Sequence, residues 1–297
     1  LAQGWNFIGG LAGRPAFGNV VFFGIGVYTA ALILERNQPY WLALVLAPLA
    51  AGLFAFLLGL PVLRLRGHYF AIATLGIAEA LGQFVQAESV GGPNGLISLT
   101  PPALNFHITN ALFFYGFLTL SLVTLLVTTW VTRTRFGYAL VAIRENEQAA
   151  EALGIPTYWY KIGAFALSAV PTAIAGSLFV YWQLSAEPGT NGGPFDASYS
   201  VAMVLMTFLG GAGTIVGPIL GGIIIQYLSQ FTLTAFTTIH GLLLGALIVL
   251  VTIFLPQGLI RVVQELVRSP AGLKQSYPTR VRQGVRRVTR FILSNGI

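Results

Sequence analysis

Chemistry in a protein needs ionisable or nucleophilic groups held together, and this chain offers few. Its three histidines, His68, His107 and His240, stand in separate segments without HExxH spacing, so a zinc hydrolase is unsupported. The absence of cysteine removes disulfides, thiolate metal sites and cysteine nucleophiles together. A phosphate-binding P-loop needs glycine followed by lysine, whereas Lys161 follows Tyr160 and Lys274 follows Leu273, and the chain has no other lysine. ATP hydrolysis within the chain is thereby excluded. No intramembrane Ser, His and Asp set offers itself, and no catalytic residue, metal or cofactor is expected.

What remains is charge in two settings. Glu79, in HYFAIATLGIAEALGQF, is the one carboxylate inside an apolar span. Ionisable groups in a bilayer are costly; they face a bundle interior, pair with another helix or line a watery path. Glu79 is therefore a candidate pathway residue, with a structural hydrogen bond to a neighbouring helix as the other reading. The second setting is an island from Arg133 to Lys161, where Arg133, Arg135, Arg144 and Lys161 stand against Glu145, Glu147 and Glu151. So polar a segment belongs in water. A helix from about Gly137 places Ala139, Ile143, Ala150 and Leu153 on one face, interrupted by Asn146, and Arg144, Glu147, Gln148 and Glu151 on another. Gly154 supplies a left-handed stop and Pro156 prevents continuation. Such a helix, polar face outward, suits the reception of another protein; it also suits a connecting helix with no partner.

The elements that must position these groups are membrane helices. With 55% hydrophobic and 8% charged residues in 297, the chain reads as an all-α, polytopic membrane bundle of about eight to ten helices, some interrupted or re-entrant. Expected spans are a partial helix ending near Leu11, then 18–34, 40–60, 68–87, 110–131, 161–183, 199–210, 214–230 and 240–256. The chain enters directly into LAQGWNFIGG, and its N-terminus is read as incomplete. Arg14, Arg64, Arg66, the island and the tail fall on one side if the spans alternate, and positive charge marks the cytoplasm. With island and tail both cytoplasmic, 199–230 must form two short elements broken at Gly210, Gly211 and Gly213. Interrupted helices of this kind are where transporters put irregular backbone, so Gly210, Gly211, Gly213 and Thr214 are candidate pathway residues.

Other features are structural in character. Gly213, Gly217 and Gly221, at four-residue spacing, bare one helix face for close packing. Gly91, Gly92, Pro93, Asn94 and Gly95 form a tight outer turn. Trp5, Trp41, Trp130, Trp159 and Trp182 lie near span ends, as aromatic-belt anchors do. Residues 1–260 form the membrane body, with 133–161 as a cytoplasmic loop. In the tail, 261–297, Val281, Val285, Val288 and Ile292 make one stripe among Arg282, Arg286, Arg287 and Arg290. That tail is either a helix on anionic lipid or a disordered basic segment held near the surface by charge, and no nucleic-acid partner is expected.

Five blocks in order, LRLRGHYFAIATLGIAEA, GGPNGL, AIRENEQAAEALGI, YKIGAFALSAVPTAIAG and FLGGAGTIVGPILGG, resemble the permease subunits of branched-chain amino-acid ABC importers, and in particular the longer of two permease types. The resemblance runs from about Phe17 to Gly258. It implies an inner-membrane transport subunit that pairs with a second permease, sits on two cytoplasmic ATPases that hold ATP and Mg, and receives substrate from a soluble binding protein. It also implies that the island is the ATPase contact. Gln148, Ala149, Ala150 and Gly154 fall where such permeases carry a Glu-Ala-Ala and Gly pattern, with Gln148 in place of the glutamate and Glu147 and Glu151 beside it. Importers of urea or short amides look much alike. From another class, a channel or a proton-coupled carrier with Glu79 as proton site would need no ATPase dock.

Overall fold

The computed structural model describes residues 1–65, 67–87, 96–97, 106–183, 185–186, 193–235 and 258–260. The expected span 240–256, the turn at 91–95 and the tail beyond 260 lie outside the described residues. The chain divides into two compact units, Leu1–Val204 and Leu205–Ile297.

The first unit is built from helices α1 (Ala2–Asn6, continued by a π-helical turn Phe7–Leu11), α2 (Val20–Glu35), α3 (Trp41–Val62), α4 (His68–Ala87), α5 (Phe106–Thr132), α6 (Arg135–Glu145), α7 (Glu147–Ala152), α8 (Thr157–Gln183) and the first part of α9 (Ala197–Gly210). Strands β1 (Leu96–Ile97) and β2 (Ser185–Ala186) form one two-residue antiparallel pair, a small exception to the all-α expectation. Among the described residues, α3, α4, α8 and the Ala111–Thr132 part of α5 are long and apolar enough to cross a membrane. Apart from 240–256, the expected spans reappear with ends moved by a few residues, by four at the starts of α5 and α8 and by five at the end of α10 (Gly217–Ala235).

α8 is the hub, packed by α2, α3 and α5. Small residues make this possible, because apolar helices in lipid gain from close backbone approach rather than from leaving water. α3 turns Ala43, Ala47, Ala51, Ala55 and Gly59 inward at four-residue spacing. Between α2 and α8 the backbones touch: a Cβ at Gly26 would lie 2.1 Å from the Ala173 carbonyl oxygen, and one at Gly176 would lie 2.2 Å from that of Phe23. Phe7, Phe22, Phe70 and Phe165 fill the centre, with Phe22 edge-on to Phe165 at 5.0 Å.

Two features were not legible beforehand. Trp5 is fully buried, its Nε1 donating to the Ala16 carbonyl at 2.6 Å, so it is a core residue and not a belt anchor. Trp41, Trp130, Trp159 and Trp182 are exposed, as belt residues are. The stretch between Leu11 and Val20 is an irregular segment whose backbone is satisfied by side chains: Thr74 Oγ1 accepts from the Phe17 amide at 3.0 Å and Ser200 Oγ accepts from that of Val20 at 3.1 Å. Non-helical backbone among membrane helices persists only where protein supplies such partners.

In the second unit the chain breaks after α9 and resumes as α10 (Gly217–Ala235). Gly211 and Gly213 take φ of 124° and 77°, conformations that glycine adopts without strain.

Candidate functional site

The 133–161 island folds as two helices, not the single helix expected from Gly137. Thr134 caps α6 by accepting from the Gly137 amide at 3.4 Å. At Asn146 the backbone turns extended, with φ −159° and ψ 106°, and its Oδ1 accepts from the Ala149 amide at 3.0 Å to cap α7. Asparagine competes with helix through this side-chain bond and excels as a cap. α7 ends in a Schellman closure: Gly154, at φ +81°, donates to Glu151 O at 2.9 Å and Ile155 donates to Ala150 O at 3.1 Å. The left-handed stop at Gly154 is where the sequence placed it.

The break redistributes the faces. Ala139, Ile143 and Ala150 are buried together as expected, but Leu153 is 81% exposed. Glu147, expected on the outer face, turns inward and accepts hydrogen bonds from both Arg14 and Lys161, one on each carboxylate oxygen. The two cations are well covered, with 12% and 5% of their side-chain surface exposed, against 22% for Glu147. Arg14 follows the π-turn, whereas Lys161 lies one turn into α8, so a single carboxylate ties α7 to two membrane elements. Beside it Arg144 donates to the Gly10 carbonyl at 3.1 Å and pairs with Glu145 at 2.9 Å. Gly13, at φ +67°, makes room for it, since a Cβ there would lie 2.6 Å from Arg144 Cγ. Thr157 Oγ1 donates to Glu151 at 2.8 Å and closes the far end.

The electrostatics follow from the geometry. Burial is the largest single influence on Glu147 and works to raise its pKa. The hydrogen bond from Lys161, the charges of Arg14 and Lys161 and the Arg14 hydrogen bond together outweigh it, and the carboxyl is held below its ordinary value. Turned outward on α7 and its closure are Gln148, Ala149, Glu151, Leu153 and Gly154, with Glu145 nearby. Nothing local to the island marks the Arg14 contact, which spans 133 positions.

The other candidates fall in both units, Glu79 in the first and Gly210, Gly211, Gly213 and Thr214 in the second. Glu79 is exposed on α4, its Oε1 accepting from Gln83 Nε2 at 3.2 Å. Gly210 and Gly221 are a packing pair: a Cβ at Gly221 would lie 1.8 Å from the Met206 carbonyl oxygen and 2.8 Å from the Gly210 amide nitrogen. Gly217 opens α10, but Gly213 lies in the preceding turn at φ 77° and shares no helix face with them. Thr214 Oγ1 donates to Gly211 O at 2.7 Å and accepts from the Gly217 amide at 3.1 Å, so this hydroxyl caps α10. A mostly apolar cavity of about 360 Å³ in the first unit is lined by residues including Gln3, Phe23, Phe117, Thr124, Phe179 and Tyr199.

Membrane-length helices around a central α8, with a charged loop clamped back onto them, define a multi-pass helical membrane protein. The chain belongs to the family of branched-chain amino acid transport system permease components, whose family model matches residues 1–252. It is 31% identical to the high-affinity branched-chain amino acid transport system permease protein LivM of Salmonella typhimurium, over 92% of this chain and 69% of that protein. It is 33% identical to LivM of Escherichia coli, over 88% of this chain and 67% of that protein. The autoinducer 2 import system permease protein LsrC of Yersinia pestis is 32% identical over 61% of this chain and 54% of its own length. No solved structure matches.

Proposed function

We propose that this chain is the membrane subunit of an ABC importer for branched-chain and other hydrophobic amino acids. It pairs with a second permease, rests on two ATPase subunits that bind ATP and Mg, and takes substrate from a soluble binding protein. The observation that carries the reading is α7: a short capped helix that offers Gln148, Ala149, Glu151 and Leu153 outward while Glu147 holds it to Arg14 and Lys161. The 133–161 loop and the tail lie in the cytoplasm in this reading, and the chain itself performs no covalent chemistry.

The clamp gives a route for force. When ATP closes the ATPase dimer, displacement of α7 is passed through two ion pairs to the segment after the π-turn and to α8, the helix on which α2, α3 and α5 pack. A ligand or nucleotide shifts such an equilibrium only by its differential affinity for the two states. The bundle passes from outward-open to inward-open, and substrate crosses unmodified.

The test is reconstitution. Purification in mild detergent should recover a second permease and two ATPases, and proteoliposomes should take up labelled leucine only with ATP inside the ATPase compartment and binding protein on the other side. Recovery of the chain alone, or ATP-independent uptake, would sink the proposal. One relative is named for autoinducer 2 import, so a second reading is a different cargo; uptake of urea or a short amide, unaffected by excess leucine, would select it.

A further inference from the structure

α4 differs from α3 in what it turns outward. α3 exposes Val45, Leu46, Leu49, Leu53, Phe56 and Leu57, an apolar face suited to lipid chains. α4 buries Phe70, Thr74, Ala78 and Gly82 at four-residue spacing. Its other side carries Gly76, Glu79, Ala80, Gln83 and Gln86, all exposed, with Tyr69, Ile72 and Leu75 exposed toward the start of the helix and Phe84 beside Gln83, so polar and apolar groups share this face. Glu79 stands about 16 Å along the helix from His68 and about 12 Å from Ala87, at 1.5 Å per residue, which is near the middle of a hydrocarbon core about 30 Å thick. Its Oε1 accepts from Gln83 at 3.2 Å, and among the described residues it has no ion-pair partner. A Cβ at Gly76 would meet nothing within 4 Å, so the surface one turn from the carboxylate is open rather than packed. An ionisable group at this depth is not stable against lipid; it faces water or a polar partner.

We infer that this face of α4 lines the water-filled translocation path, and that Glu79 receives the ammonium group of the amino acid in transit. The inference rests on the amino-acid import proposed above. A hydrophobic zwitterion carries its ammonium across the membrane only if something replaces the water it sheds. A carboxylate supplies a charge-assisted hydrogen bond, about twice as strong as a neutral one. Gln83, donating to one oxygen, orients the group and leaves the other toward the path. Gly76 and Ala80, a turn apart, leave space beside it for the aliphatic side chain.

The chain has no cysteine, so single substitutions Gly76→Cys, Gln83→Cys and Leu53→Cys report water access directly in the assembled transporter. A membrane-impermeant methanethiosulfonate reagent should label the first two and not the third, and excess leucine should slow labelling. In the same assembly Glu79→Gln should lower leucine uptake at least tenfold with ATP hydrolysis within about twofold of normal, and Glu79→Asp should restore part of it. Absence of labelling at both Gly76→Cys and Gln83→Cys overturns the inference, as does normal uptake by Glu79→Gln. Loss of assembly in Glu79→Gln and Glu79→Asp alike also overturns it, making Glu79 a packing residue. Failure of the unsubstituted transporter to take up leucine overturns amino-acid import itself, and the ammonium assignment with it. Leucine uptake that is equal in wild type and Glu79→Gln overturns the inference while leaving amino-acid import itself intact.

Discussion

One carboxylate, Glu147, holds two nearly buried cations, and the arithmetic of that contact is unequal. Removing one member of a fully buried pair costs about 3–5 kcal/mol, because the remaining charge is left without a partner or water, and this part-buried cluster should lose less than that. Glu147→Gln leaves Lys161 and Arg14, with 5% and 12% of their side-chain surface exposed, without an anion between them. Its thermal midpoint in detergent should fall well below that of the native chain, and adding Lys161→Gln should return part of the loss. A double-mutant cycle showing no coupling would refute the pairing. The pH dependence has a definite sign. The folded carboxyl titrates below its ordinary value of 4.5, so the stabilisation is complete above about pH 4.5 and is lost as pH falls through the depressed folded value. That acid-side slope should be missing from Glu147→Gln.

The same logic at the scale of elements concerns where helices stop. Asn146→Ala removes a cap contributing about 1 kcal/mol and replaces a helix breaker with the best helix former. The α6–α7 break should close, Glu147 should swing off its partners, and uptake should drop severalfold while the chain still assembles; unchanged uptake would show that the break is incidental. Glycines of the second unit provide a matched pair. Gly221→Ala drives a methyl group to 1.8 Å from the Met206 carbonyl oxygen, whereas at Gly222 the nearest atom is Met206 Sδ at 3.9 Å. The first substitution should cost at least the 1–3 kcal/mol typical of overpacking, read as a lowered melting temperature, and Gly222→Ala should be near neutral. These contrasts mark what sequence could carry. Helix length and apolarity are local properties, so α2, α3 and α4 were legible within a few residues. The stop at Gly154 was legible because only a left-handed residue closes a helix that way. The break at Asn146 was not, since its amide competes for the backbone only in a conformation that the tertiary contacts of Glu147 select. Gly213 kept the spacing of Gly217 and Gly221 but belongs to the turn, and spacing alone does not say where a helix begins. Trp5 had the position of a belt residue, yet the irregular segment that folds over it brings the Ala16 carbonyl to its indole.

At the scale of the whole molecule, α7 keeps an outward surface that is exposed among the described residues. Leu153 is 81% exposed on a segment otherwise rich in charge, and the helix beneath it is fixed by the Asn146 cap, the closure at Gly154 and the two ion pairs of Glu147. A lone exposed leucine means little by itself, but one mounted on a rigid helix costs little ordering entropy when it binds. The distinction between a dock and a mere connection is therefore thermodynamic. Changes to an exposed residue that contacts nothing stay within about 0.5 kcal/mol of native stability. Truncating or charging an anchor inside an interface costs about 2 kcal/mol or more of binding, or roughly thirtyfold in affinity at 1.4 kcal/mol per decade. Leu153→Asp should leave the melting temperature of the isolated chain unchanged, yet weaken its association with the ATPase subunits by at least tenfold and reduce ATP-driven uptake in parallel. Gln148→Ala, which removes a polar side chain at the rim, should do much less. Native-strength association by Leu153→Asp, measured with the purified ATPase subunits on immobilised permease, would mean that α7 only joins α6 to α8. The two ion pairs of Glu147 would then hold a connection in place rather than transmit a movement.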